Sequence, residues 1–176
     1  MKDMRKDINK PKVTVIVTVY KRTKFLRQAL QSALDQNYFS YEIIVTDDSC
    51  SESVKEIVDS FKNPLIKYRC NTSTLGVALN LRAAINEALG EYISILNDDD
   101  VWEADFLKSL VKPLEEDEDC VLSFSDHWII SEDGTIQIKE TIKNTIFYGR
   151  STLAEGNVEQ AVNFLLHKNG IPLAMA

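Results

Sequence analysis

Apolar residues along the chain change their period several times, and each change marks an element. Val13-Thr-Val-Ile-Val-Thr-Val-Tyr20 is a β-branched run, the pattern of a strand buried on both faces of a parallel sheet. Phe25, Leu26, Ala29, Leu30, Ala33 and Leu34 then recur at helical spacing. Tyr41 to Thr46 predicts a second strand, ending abruptly in Asp47-Asp48-Ser49. A helix with Val54, Ile57, Val58 and Phe61 on one face follows, and Asn63-Pro64 stops it. Ile66 to Arg69 reads as a short, weak strand before the polar loop Asn71 to Thr74. Val77, Leu81, Ala84, Ile85, Ala88 and Leu89 stripe a third helix, with Gly90 placed as its C′ residue. Tyr92 to Leu96 predicts a strand that runs straight into Asn97-Asp98-Asp99-Asp100. A fourth helix over Phe106, Leu107, Leu110, Val111 and Leu114 precedes an expected strand at Val121 to Ser125.

Strands alternating with helices at these intervals mean βαβ units and a mainly parallel α/β sheet. Beyond Asp126 the pattern shifts. Trp128 to Ile130 and Thr135 to Ile138 flank the turn Glu132-Asp-Gly134, which predicts an antiparallel hairpin. A helix near Val158 to Leu166 comes next, and the apolar run to Ala176 reads as the beginning of a strand. The expected organisation is a tail over residues 1–10, an α/β domain over 11–125, and a partly antiparallel, incomplete continuation of that domain over 126–176.

A chain of 176 residues holds one hydrophobic core and is short for two. Its net charge of −7 argues against a general nucleic-acid binder, which needs a Lys/Arg surplus. One nucleotide is still within reach, because a metal ion can bridge carboxylates and phosphates locally. Cys50, Cys70 and Cys120 are widely spaced and odd in number, so they read as free thiols in a reducing compartment. No stretch is long enough to span a bilayer. The charged start from Met1 to Lys10 lacks the apolar core of a signal peptide, which predicts a cytoplasmic protein.

In open α/β sheets, ligands bind outside the carboxyl ends of the strands. Three predicted strands end in candidate ligand residues: Thr18 and Tyr20, then Asp47-Asp48, then Asp98-Asp99-Asp100. Packing an acidic run between Leu96 and Val101-Trp102 raises its electrostatic energy unless a cation neutralises it. Oxygen-only ligands suit Mg²⁺ or Mn²⁺, which share their coordination with substrate phosphates. The competing reading is an acidic turn capping the next helix. Asp47-Asp48 admits both a helix-start role and hydrogen bonding to a ribose or base. Tyr20 is either core or a stacking platform for a base. Arg82 lies off the third helix's stripe, and is either a solvated charge or a counter-ion to a diphosphate. His127 and His167 have no ligand spacing and read as structural, and no Gly-rich phosphate loop is present.

Taken in order, Val13 to Arg22, Ser32-Ala-Leu-Asp-Gln36, Tyr41 to Ser49, Leu75-Gly-Val-Ala78 and Gly90 to Trp102 resemble glycosyltransferase family 2. The resemblance spans roughly the first 125 residues and implies a GT-A fold, Rossmann-like with helices on both sides of the sheet. It also implies a nucleotide-diphospho-sugar donor, UDP-sugars being favoured, together with Mn²⁺ or Mg²⁺ and inversion at the anomeric carbon. Carried over by position, Thr18, Tyr20 and Asp48 match nucleoside contacts, Asp98 a ribose or phosphate neighbour, and Asp99 the metal ligand. Thr18-Val19 stands where many members have Pro-Thr, Asn97 replaces a frequent Asp, and Arg82 stands where Asn is common.

The acceptor implied is a saccharide, a lipid-linked species or another hydroxyl, in bacterial-type polysaccharide or glycoconjugate synthesis, with the enzyme cytoplasmic or peripheral at the membrane. The general base is expected beyond Ala176, with Asp126 the one substitute inside the chain, so donor binding without transfer is the expected behaviour. Apolar surface near Leu165, Ile171 and Leu173 predicts self-association. Two other classes stay open: a nucleotide-binding module without transfer, and a nucleotidyltransferase.

Overall fold

The computed structural model describes residues 10–158 together with Ala161 and Phe164. Four strands form one parallel sheet: β1 (Val13–Val19), β2 (Tyr41–Asp47), β3 (Ile66–Cys70) and β4 (Tyr92–Asn97), in the spatial order β3-β2-β1-β4. Helices α1 (Leu26–Leu34), α2 (Glu52–Ser60) and α3 (Val77–Glu87) join them, and α4 (Phe106–Glu116) and α5 (Ile138–Phe147) follow β4. The mainly parallel α/β architecture expected from the alternation is therefore present.

Register explains how the sheet divides its two faces. Val13, Val15 and Val17 align with Tyr41, Ile43 and Val45 on β2. Together with Leu96 they form the main core, onto which α1, α2 and α4 pack Leu26, Leu30, Val54, Leu107 and Val111. Each fully buried aliphatic of this kind contributes about 1.5–3 kcal/mol. The opposite face is thinner and half polar. Ile16 and Ile44 pack under Ala84 of α3, but they alternate with buried Thr14, Glu42 and Thr46. Glu42 accepts from Thr14 Oγ1 at 2.8 Å, the Leu89 N–H at 2.7 Å and Lys67 Nζ at 2.5 Å. β1 is buried on both faces, as expected, and so is β2, but one of those faces carries a satisfied polar layer. As a result Val77, Ile85 and Leu89 stay exposed rather than lining a buried stripe.

Gly90 also has a different reason from the one expected. Helix α3 ends at Glu87 with Ala88 in an extended conformation at its cap, and Gly90 is not among the residues with positive φ. A Cβ on Gly90 would lie 2.4 Å from the Thr14 nitrogen and 2.6 Å from the Val13 carbonyl carbon. The glycine is there because β1 passes against it.

The expected strand at Val121 to Ser125 does not form. Val121 is 91% exposed, and β-propensity without a partner strand does not make a strand. The expected hairpin reduces to one antiparallel bridge between Ile130 and Ile136, and Ile138 opens α5 instead of extending a strand. Of the helix expected near Val158 to Leu166, Ala161 and Phe164 are helical and the remainder lies largely outside the described residues. The expected terminal strand and the patch at Leu165, Ile171 and Leu173 lie outside them too.

The free-thiol reading is corrected for two of the three cysteines. Cys50 and Cys70 are joined as a disulfide with Cα atoms 4.9 Å apart, while Cys120 is free. Spacing hid this, because pairing Asp47 with Cys70 across β2 and β3 brings the two together. A thiol titration of the native, unreduced chain should therefore find one reactive thiol, rising to three after unfolding in reductant. Closing a loop of 20 residues contributes about 3 kcal/mol, so reduction should also lower the urea midpoint. Three thiols in the unreduced chain would contradict the pairing.

Candidate functional site

The strand order places β1 in the middle, with β2 on one side and β4 on the other. The chain winds outward through β2 and β3 and then crosses back to β4, so the switch point lies between β1 and β4. Ligands of doubly wound sheets bind in the crevice outside such a switch. The register aligns Thr18 with both Thr46 and Asn97, so β1, β2 and β4 end at one level. Tyr20, Asp48 and Asp98 therefore emerge along a single edge.

The loop after β1 turns sharply at Lys21, whose φ of 60° is left-handed and costly for a residue with a Cβ. The Lys21 N–H donates to Ser49 Oγ at 3.2 Å, which ties this loop to the one after β2. Cys50 in that second loop is also left-handed, with φ of 47°. Tyr20 is left 46% exposed, with the Lys21 ammonium 5.0 Å from its ring centroid.

After β2 the two aspartates do different work. Asp47 accepts from the Ser49 and Ser51 N–H groups, each at 2.8 Å, and from Tyr68 Oη at 3.0 Å, which shapes the turn into α2. Asp48 faces the other way. Its carboxylate accepts from the Leu75 and Gly76 N–H groups and from Asn71 Nδ2, all at 2.8 Å. Burial raises the Asp48 pKa, but these donors outweigh it and hold the group below the usual aspartate value. The Gly76 φ of 84° lets the chain present both N–H groups at the start of α3. The anion slot at that helix N-terminus is thus filled by the protein's own carboxylate.

Behind Asp48 lies a buried polar network that sequence reasoning missed. Thr46 Oγ1 donates to Asn80 Oδ1 at 2.6 Å, Asn71 Nδ2 donates to the same oxygen at 2.8 Å, and Arg69 donates to Thr46 Oγ1 at 2.5 Å. The available signal was Asn80 itself, a polar residue on the apolar stripe of α3, where burial demands partners.

The acidic run splits by environment. Asp98 is buried, whereas Asp99 and Asp100 are exposed, so the three carboxylates are not packed together between apolar segments as expected. Burial pushes the Asp98 pKa up, against the opposing pull of Arg22. Arg22 is the residue the sequence reading passed over. Its guanidinium meets Asp98 through Nη2, and through Nε at 3.4 Å, and it meets Asp99 at 2.6 Å through Nη1. The contact bridges β1 and β4 across the switch point. Arg82, weighed for the counter-ion role, is exposed on α3. It lies two residues beyond the buried Asn80, roughly 200° round the helix. The guanidinium that reaches the acidic run is Arg22's.

Ser32 and Gln36 hold the segment that follows the acidic run. Ser32 Oγ accepts from the Trp102 N–H at 3.1 Å, while Gln36 accepts from the Leu107 N–H at 2.9 Å and donates to the Glu103 carbonyl at 2.8 Å. Asp126, weighed as a base, ends no strand. Arg150 Nε donates to it at 3.0 Å and Thr145 Oγ1 at 3.1 Å. Burial raises its pKa, yet these partners and the His127 N–H bring it below the usual value, which disfavours proton abstraction near neutral pH.

A sequence profile described as glycosyl transferase family 2 matches residues 14–169. The chain belongs to glycosyl transferase family 2. Among family relatives, the chain is 27% identical over 152 residues to the Bacillus subtilis glycosyltransferase TuaG, named for teichuronic acid biosynthesis, covering 78% of this chain and 59% of that one. It is 32% identical over 109 residues to the Campylobacter jejuni GalNAc(5)-diNAcBac-PP-undecaprenol beta-1,3-glucosyltransferase, covering 60% and 35%. S. aureus TarS 1–349, solved in complex with UDP-GlcNAc, superposes with a TM-score of 0.56 at 25% identity, covering 60% of this chain and 31% of that one. The fold is the GT-A fold of these family members. The chain spans about three-fifths of TuaG's length and about a third of the other two. No helix among the described residues is long and apolar enough to cross a membrane.

Proposed function

We propose that this chain carries the donor site of an inverting, metal-dependent glycosyltransferase that prefers UDP-sugars. The observation that carries the reading is the convergence of Tyr20, Asp48 and the Asp98–Asp99 pair on one sheet edge at the switch point. The UDP-sugar bound by TarS and the saccharide-forming names of the relatives support it.

Each residue takes a role suited to its surroundings. The exposed Tyr20 ring offers a face for the base, and Thr18 lines the edge beneath it. Asp48, ionised and acceptor-only, has three donors and room for one more. Uracil fills that place with its N3–H, whereas cytosine has no hydrogen there. Asp98 lies beside the ribose and phosphates. Among the described residues there is no group of three or more acidic, His or Cys side chains placed to hold a metal ion. That donor set still fits Mg²⁺ or Mn²⁺, which proteins bind through one or two carboxylates plus substrate phosphates. Asp99 is assigned as the ligand, with Asp98 next to it. When bound, the ion supplies Lewis-acid stabilisation of the departing diphosphate. The acceptor hydroxyl, on a saccharide or lipid-linked substrate, attacks the opposite face of the sugar, so the anomeric centre inverts. A lipid-linked acceptor places the reaction at the cytoplasmic face of a membrane.

Calorimetry with UDP, GDP and CDP in the presence of Mn²⁺ tests the reading. UDP should bind tighter than CDP by about tenfold, roughly 1.4 kcal/mol, the scale of one hydrogen bond to a charged acceptor. CDP or GDP outbinding UDP by a wide margin would overturn the base assignment.

A further inference from the structure

Resting on the donor-site reading above, we propose that Arg22 is a transferable counter-ion: it holds Asp98 and Asp99 in the unliganded protein and passes to the donor's diphosphate when the carboxylates take up the divalent ion.

Three observations lead there. The Arg22 guanidinium fork engages both carboxylates assigned to the ribose, phosphate and metal. A carboxylate oxygen that accepts a short N–H bond has its lone pair directed at the guanidinium, so Arg22 and a metal ion compete for the same electrons. The arginine is also placed to let go. Its side chain is 63% exposed and that of Asp99 is 40% exposed, so water screens that contact, while Asp98, whose side chain is only 2% exposed, gives up the guanidinium only as the divalent ion replaces its charge. Finally, the site's other handles for an anion are committed. The α3 N-terminus is filled by Asp48. Arg69 is bound to Thr46, Asn71 and Glu87, and the Lys21 ammonium lies over Tyr20. A guanidinium matches a phosphate in two-pronged geometry as well as it matches a carboxylate, so the released Arg22 has a partner at hand.

The left-handed Lys21 fixes where this exchange happens. It turns the chain sharply off the end of β1, and its N–H bond to Ser49 anchors the turn. Arg22 thereby pivots at the switch point between β1 and β4, within reach of both partners by rotation of its own side chain.

The exchange predicts effects of opposite sign. Mn²⁺ affinity without nucleotide is read by paramagnetic resonance, and UDP affinity at saturating Mn²⁺ by calorimetry, for wild type, Arg22→Gln, Arg22→Lys and Asp99→Asn. Arg22→Gln should bind Mn²⁺ alone about fivefold tighter, because the competitor is gone, and UDP about tenfold weaker, because the phosphate partner is gone. Arg22→Lys, a point charge without the fork, should fall between in both. Asp99→Asn should lose Mn²⁺, separating ligand from competitor. If Arg22→Gln weakens Mn²⁺ binding or leaves it unchanged, the competition is refuted. If UDP binding is unaltered in Arg22→Gln, the transfer to diphosphate is refuted. Failure of the wild type itself to bind UDP with Mn²⁺ would overturn the donor reading, and this proposal with it, which is a distinct result from variants matching a wild type that binds.

Discussion

Replacing Asp99 with Ala, or stripping divalent ions with a chelator, should cost UDP affinity on the order of 100-fold, about 2.8 kcal/mol. The argument is electrostatic. Asp48, Asp98 and Asp99 stand on the same sheet edge with one guanidinium, that of Arg22, against the last two, so a diphosphate approaching them still adds negative charge to a net negative edge. A bridging cation reverses the sign of that encounter. Calorimetry on wild type with Mn²⁺, wild type with chelator, and Asp99→Ala with Mn²⁺ gives three affinities. The last two should agree with each other and differ from the first. Equal affinity in all three would sink the metal assignment while leaving Tyr20 and Asp48 as base contacts to be judged separately.

The second large effect is on stability rather than binding. Gly90→Ala should destabilise the fold by about 3 kcal/mol, a fall of roughly 6–12 °C in Tm for a chain of this size. The added Cβ would meet the Thr14 nitrogen at 2.4 Å and the Val13 carbonyl carbon at 2.6 Å, both backbone atoms of a central strand. No side-chain rotation relieves such a contact. Thermal unfolding followed by circular dichroism measures it, and Thr14→Ala in the Gly90→Ala background sharpens it. Removing the hydroxyl relieves only the 2.8 Å contact to Oγ1, so the double variant should melt no higher than the single one. A Tm within 2 °C of wild type, for a shift of under about 1 kcal/mol, would mean that β1 and the α3–β4 turn separate easily.

Why some of this was legible in the sequence follows from what periodicity encodes. Burial of Leu26, Ala29, Leu30 and Ala33 on α1 is a one-dimensional pattern that survives folding intact. The same holds for strand ends. A β-branched run stops where carboxylates begin, so the order of residues alone places Asp48 and Asp98 on the sheet edge. What period cannot encode is partnership across the sheet. Cys50 and Cys70 meet through the β2–β3 register, Glu42 is satisfied by Thr14, Lys67 and the Leu89 N–H, and Val121 to Ser125 lacks a neighbouring strand among the described residues. Arg22 was missed for a related reason. Electrostatics requires a cation beside the acidic run, and sequence spacing cannot show that a guanidinium from the end of β1 meets that demand as well as a metal ion does. Gly90 stood in the right place for a cap and was explained by the wrong neighbour.

The strand order also governs when the site can come into being. Strand β1 is the first made and sits in the interior of the sheet, yet its second neighbour, β4, follows only after α3. Until then one long edge of β1, Val13 to Val19, offers unpaired amides with four valines on one face and Ile16 between Thr14 and Thr18 on the other. Non-local pairing of this kind is slow, and an open apolar edge is the surface on which nascent chains stick to one another. Closing it requires β4, and the same event carries Asp98 and Asp99 to Arg22. Assembly of the candidate site and protection from aggregation therefore begin at one moment during synthesis, and a ribosome-stalled chain ending before Tyr92 should need a chaperone where one extended past Glu116 does not.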